Sequence, residues 1–135
     1  MSDDISHKKA MKILNVLSYT TGTDKDFFEE KYKKLRDEGY TRIEAVKELW
    51  EDEWFFFMDA MLFELKDKPR PQVVKSIISY ISLLTNTLFS EDQVRKEYNE
   101  LYLLLGDTDQ SLKKTFDSIM NKYFEYLVGM DEYLW

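Results

Sequence analysis

Apolar residues return every three or four positions through almost the whole chain, the spacing of helices that bury one stripe. Ala10, Ile13, Leu14 and Leu17 form such a stripe in a first helix predicted from Ile5 to Tyr19. The stretch "TTGTD" interrupts it and offers Thr23 or Asp24 as N-cap of a second helix, striped by Phe28, Tyr32 and Leu35. Glu29 with Lys33 and Glu30 with Lys34 have the favourable i,i+4 order on that helix. Gly39 ends it, as a left-handed C-terminal residue would. Thr41 and Glu44 have the spacing of a capping box and open a third helix, which "KDKPRP" stops. A fourth begins near Pro71 and carries Val74, Ile77, Ile78, Ile81, Leu84 and Leu88. Ser90 and Gln93 form a second capping box, followed by Val94, Tyr98, Leu101 and Leu105 in a fifth helix that ends at Gly106. The sixth follows "DTD", shows Leu112, Phe116, Ile119, Tyr123 and Leu127, and stops before Gly129. No segment alternates with period two, so the expected class is all-α: a compact bundle of about six helices in a single domain.

Sliding the chain by 67 residues lays "LNVLSYTTGTD" over "ISLLTNTLFSE" and brings Gly39 onto Gly106 and Thr41 onto Thr108. Two three-helix halves, residues 1–67 and 68–135, would explain the match. Chance similarity between amphipathic helices explains it as well.

The third helix is the distinctive one. At about 100° per residue, Ile43, Trp50, Trp54, Phe57, Met58, Met61 and Leu65 share a face. Ala45, Leu49, Phe56, Ala60 and Phe63 make a second band, and Phe55 and Leu62 flank the other edge. Its second half is apolar almost all round, the mark of a buried helix, so it is expected at the centre with the other five around it. Glu44, Glu48, Glu51, Asp52 and Asp59 gather on the remaining arc as an acidic stripe. Like charges four apart repel, which a helix bearing Lys31, Lys33, Lys34 and Arg36 would relieve, as would a basic partner. Glu53 and Glu64 fall on the apolar side, where burial would demand a cation or a raised pKa unless they reach out to water.

Charge and composition then narrow the function. With 19 basic and 26 acidic residues the net charge is −7, which disfavours direct nucleic-acid or anionic-membrane binding and favours a basic protein surface. Basic clusters such as Lys8, Lys9 and Lys12 are small and interrupted by acids. The longest uncharged run, Ser76 to Ser90, is too short and too polar to span a bilayer. The first residues lack the layout of a signal peptide, so a cytoplasmic protein is expected. There is no cysteine, which leaves no disulfide, thiolate metal site or Cys nucleophile in the sequence.

Catalytic residue types are scarce. The single histidine, His7, sits beside two lysines near the N-terminus, a poor place for a base that needs fixed geometry. No glycine-rich phosphate loop occurs, and no catalytic residue, metal ligand set or cofactor is assigned. Glu48 with Glu51 and Glu97 with Glu100 are i,i+3 acid pairs on two helices. They sustain an alternative, a Mg²⁺-dependent all-α nucleotide pyrophosphohydrolase-like enzyme, although such pairs are common in acidic helices.

By elimination the expected function is non-enzymatic protein binding, as an inhibitor, an immunity or anti-defence factor, or an assembly chaperone. The expected docking residues are Glu44, Glu48, Glu51, Asp52 and Asp59, with Phe55 as an aromatic anchor. Leu134 and Trp135, in the tail after Gly129, are expected either to pack back onto the bundle or to serve as a second apolar docking contact. A homodimer or other self-associating structural module is the remaining alternative.

Overall fold

The computed structural model describes residues 4–130, and the described residues form six α-helices and no strand. They are α1 (His7–Thr21), α2 (Lys25–Asp37), α3 (Arg42–Glu64), α4 (Arg70–Leu84), α5 (Glu91–Leu105) and α6 (Thr108–Gly129). The described chain divides into two compact units, residues 4–53 with 124–130 and residues 54–123. α3 and α6 each contribute a segment to both.

In the first unit the anticipated stripe of Ala10, Ile13, Leu14 and Leu17 is fully buried, together with Phe28, Tyr32, Ala45, Val46, Leu49 and Trp50. Trp50 meets Phe124 with ring centroids 5.5 Å apart. Ser6 caps α1 by accepting from the Lys9 amide, so the helix starts at His7 rather than Ile5. Asp24, one of the two candidates, caps α2. Past the end of α2, Gly39 stands at φ +100°, with the Tyr40 amide bonded back to the Leu35 carbonyl. The Lys9 ammonium donates to the Val128 carbonyl at 2.6 Å and supplies a cation to the C-terminus of α6. That helix includes Gly129 instead of stopping before it.

The N-terminus of α3 has two caps. The Thr41 amide donates to Glu44 and the Glu44 amide to the Thr41 hydroxyl, the capping box the spacing implied. Across the fold, the Asp4 carboxylate accepts from the amides of Arg42 (3.1 Å) and Ile43 (2.8 Å), and also from its neighbour Ile5. Burial acts to raise the Asp4 pKa, but the hydrogen bonds from Ile43, Arg42 and Ile5 and the Arg42 charge outweigh it and hold the carboxyl below its usual range.

In the second unit α4 packs on α5. The α4 stripe of Val74, Ile77, Ile78, Ile81 and Leu84 is buried, as are Val94, Tyr98, Leu112, Phe116, Ile119 and Tyr123. Trp54, Met58 and Leu62, spaced i,i+4, are the buried line of α3 here. Phe57 stacks on Tyr80 and on Phe116, with centroids 5.8 and 6.3 Å apart. Arg70 ties helix ends together: its guanidinium donates to the Leu65, Lys66 and Lys68 carbonyls after α3 and to Asp109 at 2.6 Å. Both hydrogen bonds of the Ser90/Gln93 capping box are in place: the Ser90 amide donates to Gln93 Oε1 and the Gln93 amide to Ser90 Oγ. Gly39 and Gly106, superposed by the 67-residue shift, both have positive φ, a geometry that helix ends favour whatever their ancestry.

Three expectations about side chains are overturned. Leu88 is exposed because α4 ends at Leu84 and the stripe does not continue through the turn. Leu105 is exposed with Tyr102, Leu103 and Leu104 in the last turn of α5, where four consecutive apolar residues necessarily point in several directions. Glu29 pairs with Lys25 at 3.5 Å rather than with Lys33, and the Glu30–Lys34 pair does not form.

Candidate functional site

Two features of α3 stand apart from core packing: its carboxylates and its bare rings. The carboxylates of the first half lie in the first unit. Glu44 belongs to the cap, and hydrogen bonding from Thr41, its backbone amide first and its hydroxyl second, holds the carboxyl below the usual glutamate range. Glu48, Glu51 and Asp52 are exposed. None of the three makes an ion pair or hydrogen bond to a described residue. The α2 cations suggested as their counter-charges are engaged elsewhere or face water: Lys31 lies over the Phe27 ring at 4.5 Å, and Arg36 donates to the Tyr40 carbonyl. Lys47, four residues before Glu51, makes no ion pair among the described residues either.

Glu53 is half-buried and accepts from the Thr23 hydroxyl at 2.9 Å, so a neutral donor meets it in place of a cation. Glu64 is exposed. Asp59, in the second unit, is not a free member of the stripe: Lys113 of α6 bonds it at 2.9 Å. Of the stripe, the carboxylates without a partner among the described residues are therefore Glu48, Glu51 and Asp52.

The second half of α3 is not wrapped on all sides. Phe55 is 62% exposed, and Phe56 and Phe63 are each 67% exposed, whereas Trp54 is buried at 3%. The expectation that the rings between Trp50 and Phe63 are enclosed fails for these three. Adjacent residues diverge by about 100°, so the run Phe55–Phe56–Phe57 spans some 200° of the helix and cannot sit on one face. Phe57 takes the core, while Phe55 and Phe56 meet edge to face at 5.8 Å in water. The consecutive triplet was itself the signal that could have located Phe56. The second band, Ala45 to Phe63, behaves in the same divided way: Ala45 and Leu49 are buried, and Phe56, Ala60 and Phe63 are exposed.

Leu134 and Trp135 lie outside the described residues. His7 is exposed, with its ring 6.3 Å from that of Tyr32. Glu48 and Glu51 belong to the first unit and Glu97 and Glu100 to the second. Glu97 accepts from the Ser118 hydroxyl and pairs with Lys122 at 3.3 Å. No group of three or more His, Asp or Glu side chains that could hold a metal ion occurs among the described residues. No described helix is long and apolar enough to cross a membrane. Comparison with protein families, with curated proteins and with solved structures found no match.

Proposed function

We propose that this chain is a non-enzymatic binding module that docks α3 on a basic protein partner and acts by occupying that partner's surface. Two observations support the reading: in the first unit α3 presents three exposed carboxylates with no cation against them among the described residues, and in the second unit its later residues include exposed phenyl rings. Glu48, Glu51 and Asp52 would steer the encounter, because long-range attraction acts mainly on the association rate. Phe55 and Phe56 would supply affinity once water is expelled, since large aromatic residues dominate interface energetics. Glu44 and Asp59 keep structural duties in the cap and in the Lys113 pair. The mode of action is that of an inhibitor, immunity or anti-defence factor, or assembly chaperone, all of which work by covering a surface.

The test begins with affinity capture from the source cell and identification of the bound protein. Stopped-flow association of that protein with the wild type and with the Glu48→Lys/Asp52→Lys variant follows. The variant is expected to associate at least about tenfold more slowly at low salt and to lose most of its salt dependence. An unchanged on-rate refutes the acidic docking face.

A further inference from the structure

We propose that the C-terminal end of α5 is a second docking surface, one that takes a basic amphipathic segment of the protein partner. This rests on the protein-docking reading and adds a contact within the second unit. Leu103 and Leu104 are 85% and 82% exposed, the barest leucines among the described residues, and Tyr102 and Leu105 are partly exposed beside them.

The backbone at this end also lacks partners. Gly106, at φ +67°, gives its amide to the Tyr102 carbonyl at 2.8 Å. No described residue donates to the carbonyls of Leu103, Leu104 or Leu105. Three other helix ends receive a cation: Lys9 donates to the Val128 carbonyl of α6, Arg70 to the carbonyls that follow α3, and Arg36 to the Tyr40 carbonyl beyond α2. The last turn of α5 has no basic residue to do the same.

The charges that border the leucines are negative. Glu100 lies three and four residues before Leu103 and Leu104, hence on their face, and is exposed with no ion pair among the described residues. Asp107, just past the helix, is exposed as well, and the negative end of the helix dipole adds to both. Lys96 makes no ion pair with Glu100, and Arg70 and Lys113 are held by Asp109 and Asp59.

Bare leucines between carboxylates and a free carbonyl end complement a segment that carries apolar side chains flanked by lysine or arginine. A cation of that segment would do for α5 what Lys9 does for α6, with its methylene stem lying along Leu103 and Leu104. A second copy fits worse, because it would bring two Glu100, two Asp107 and two carbonyl ends together. An anionic bilayer meets the same repulsion.

The test uses the whole chain and, as probe, a synthetic amphipathic helix of leucine and lysine; its control has glutamate in place of every lysine. Two-dimensional NMR follows the amides of Leu103–Gly106 and of Phe55. Saturable shifts at Leu103–Gly106 are expected with the lysine peptide and none with the glutamate peptide. Leu103→Gln/Leu104→Gln should weaken that binding at least about tenfold with helix content by circular dichroism unchanged. Glu100→Lys should weaken it too and flatten its salt dependence. Shifts confined to Phe55, equal binding of the glutamate peptide, or full affinity in the folded double-glutamine variant each overturn the surface. So does self-association, or co-sedimentation with phosphatidylcholine vesicles, that the same variant abolishes, since a second copy or a bilayer would then be the occupant. Silent α5 amides with an on-rate still slowed by Glu48→Lys/Asp52→Lys sink this surface alone. An unchanged on-rate with the α5 shifts intact sinks the α3 reading alone.

Discussion

Asp4 offers the sharpest test of how the first unit is held together. Its carboxylate receives the amides of Arg42 and Ile43, residues 38 and 39 positions away, at the start of a helix whose Thr41/Glu44 box satisfies other groups. Replacing Asp4 with Ala leaves two N-terminal donors of α3 to water and removes an anion from the positive end of the helix dipole. Substitution of a capping carboxylate ordinarily costs about 0.5–2 kcal/mol. Asp4 is only partly buried, so water replaces some of what is lost, and about 1 kcal/mol is the expected figure. For a chain of this size that lowers Tm by roughly 3–5 °C.

The pH dependence follows from the direction of the Asp4 shift. Its folded pKa lies below its unfolded one, so its contribution is complete above about pH 4 and is lost as pH falls through the folded value. Asp4→Asn should therefore be less stable than wild type at pH 7, by a margin that closes as pH falls through the lowered folded value. Urea titrations at pH 7, 4 and 2.5 measure that margin, and hydrogen exchange at the Ile43 amide reports the same bond locally. An Asp4→Ala protein as stable as wild type at pH 7, with unchanged Ile43 exchange, refutes the remote cap.

Tyr32→Phe should be neutral or stabilising by up to about 1 kcal/mol, because the buried hydroxyl has no hydrogen-bond partner among the described residues. Burial raises the Tyr32 pKa above its usual range, against the charges of Arg36 and Arg42 and with that of Asp4. Wild-type stability therefore falls as pH rises above about 10 and through the raised folded value, and the Tyr32→Phe substitution should remove that loss; urea titration at pH 8 and 11 checks both statements. Arg70→Lys should cost about 1–2 kcal/mol, since one ammonium cannot serve three carbonyls and Asp109 at once, discounted because the side chain is 35% exposed. Calorimetry that shows no loss for Arg70→Lys would mean that helix ends, not this side chain, hold the Leu65–Arg70 turn.

Helix number, order and most caps were legible because each depends on residues three or four apart. Thr41 with Glu44, Ser90 with Gln93, and Asp24 all act where their spacing placed them. The stripes of α1, α4 and α6 were legible for the same reason. What local pattern does not contain is which part of an over-apolar helix finds neighbours. The second half of α3 holds more large side chains than one contact line can cover: Trp54, Met58 and Leu62 take that line, and Phe55, Phe56 and Phe63 are left outside. Long-range polar contacts were invisible for a related reason. Nothing adjacent to Asp4 names Ile43 as its donor, and nothing near Asp59 names Lys113.

One anticipated contact and one unforeseen contact change how the acidic stripe works. Five carboxylates along α3 looked like one continuous field, yet two are committed, Glu44 to the cap and Asp59 to Lys113. The remaining three are concentrated between Glu48 and Asp52, immediately before Phe55 and Phe56 in the helix. Exposed rings of that size invite self-association, and carboxylates on the same chain raise the cost of like meeting like. The same charges lower that cost for a basic surface. Under the proposed docking, the acids would discriminate between partners as well as attract one: repulsion between copies would protect the rings until an oppositely charged protein covered them.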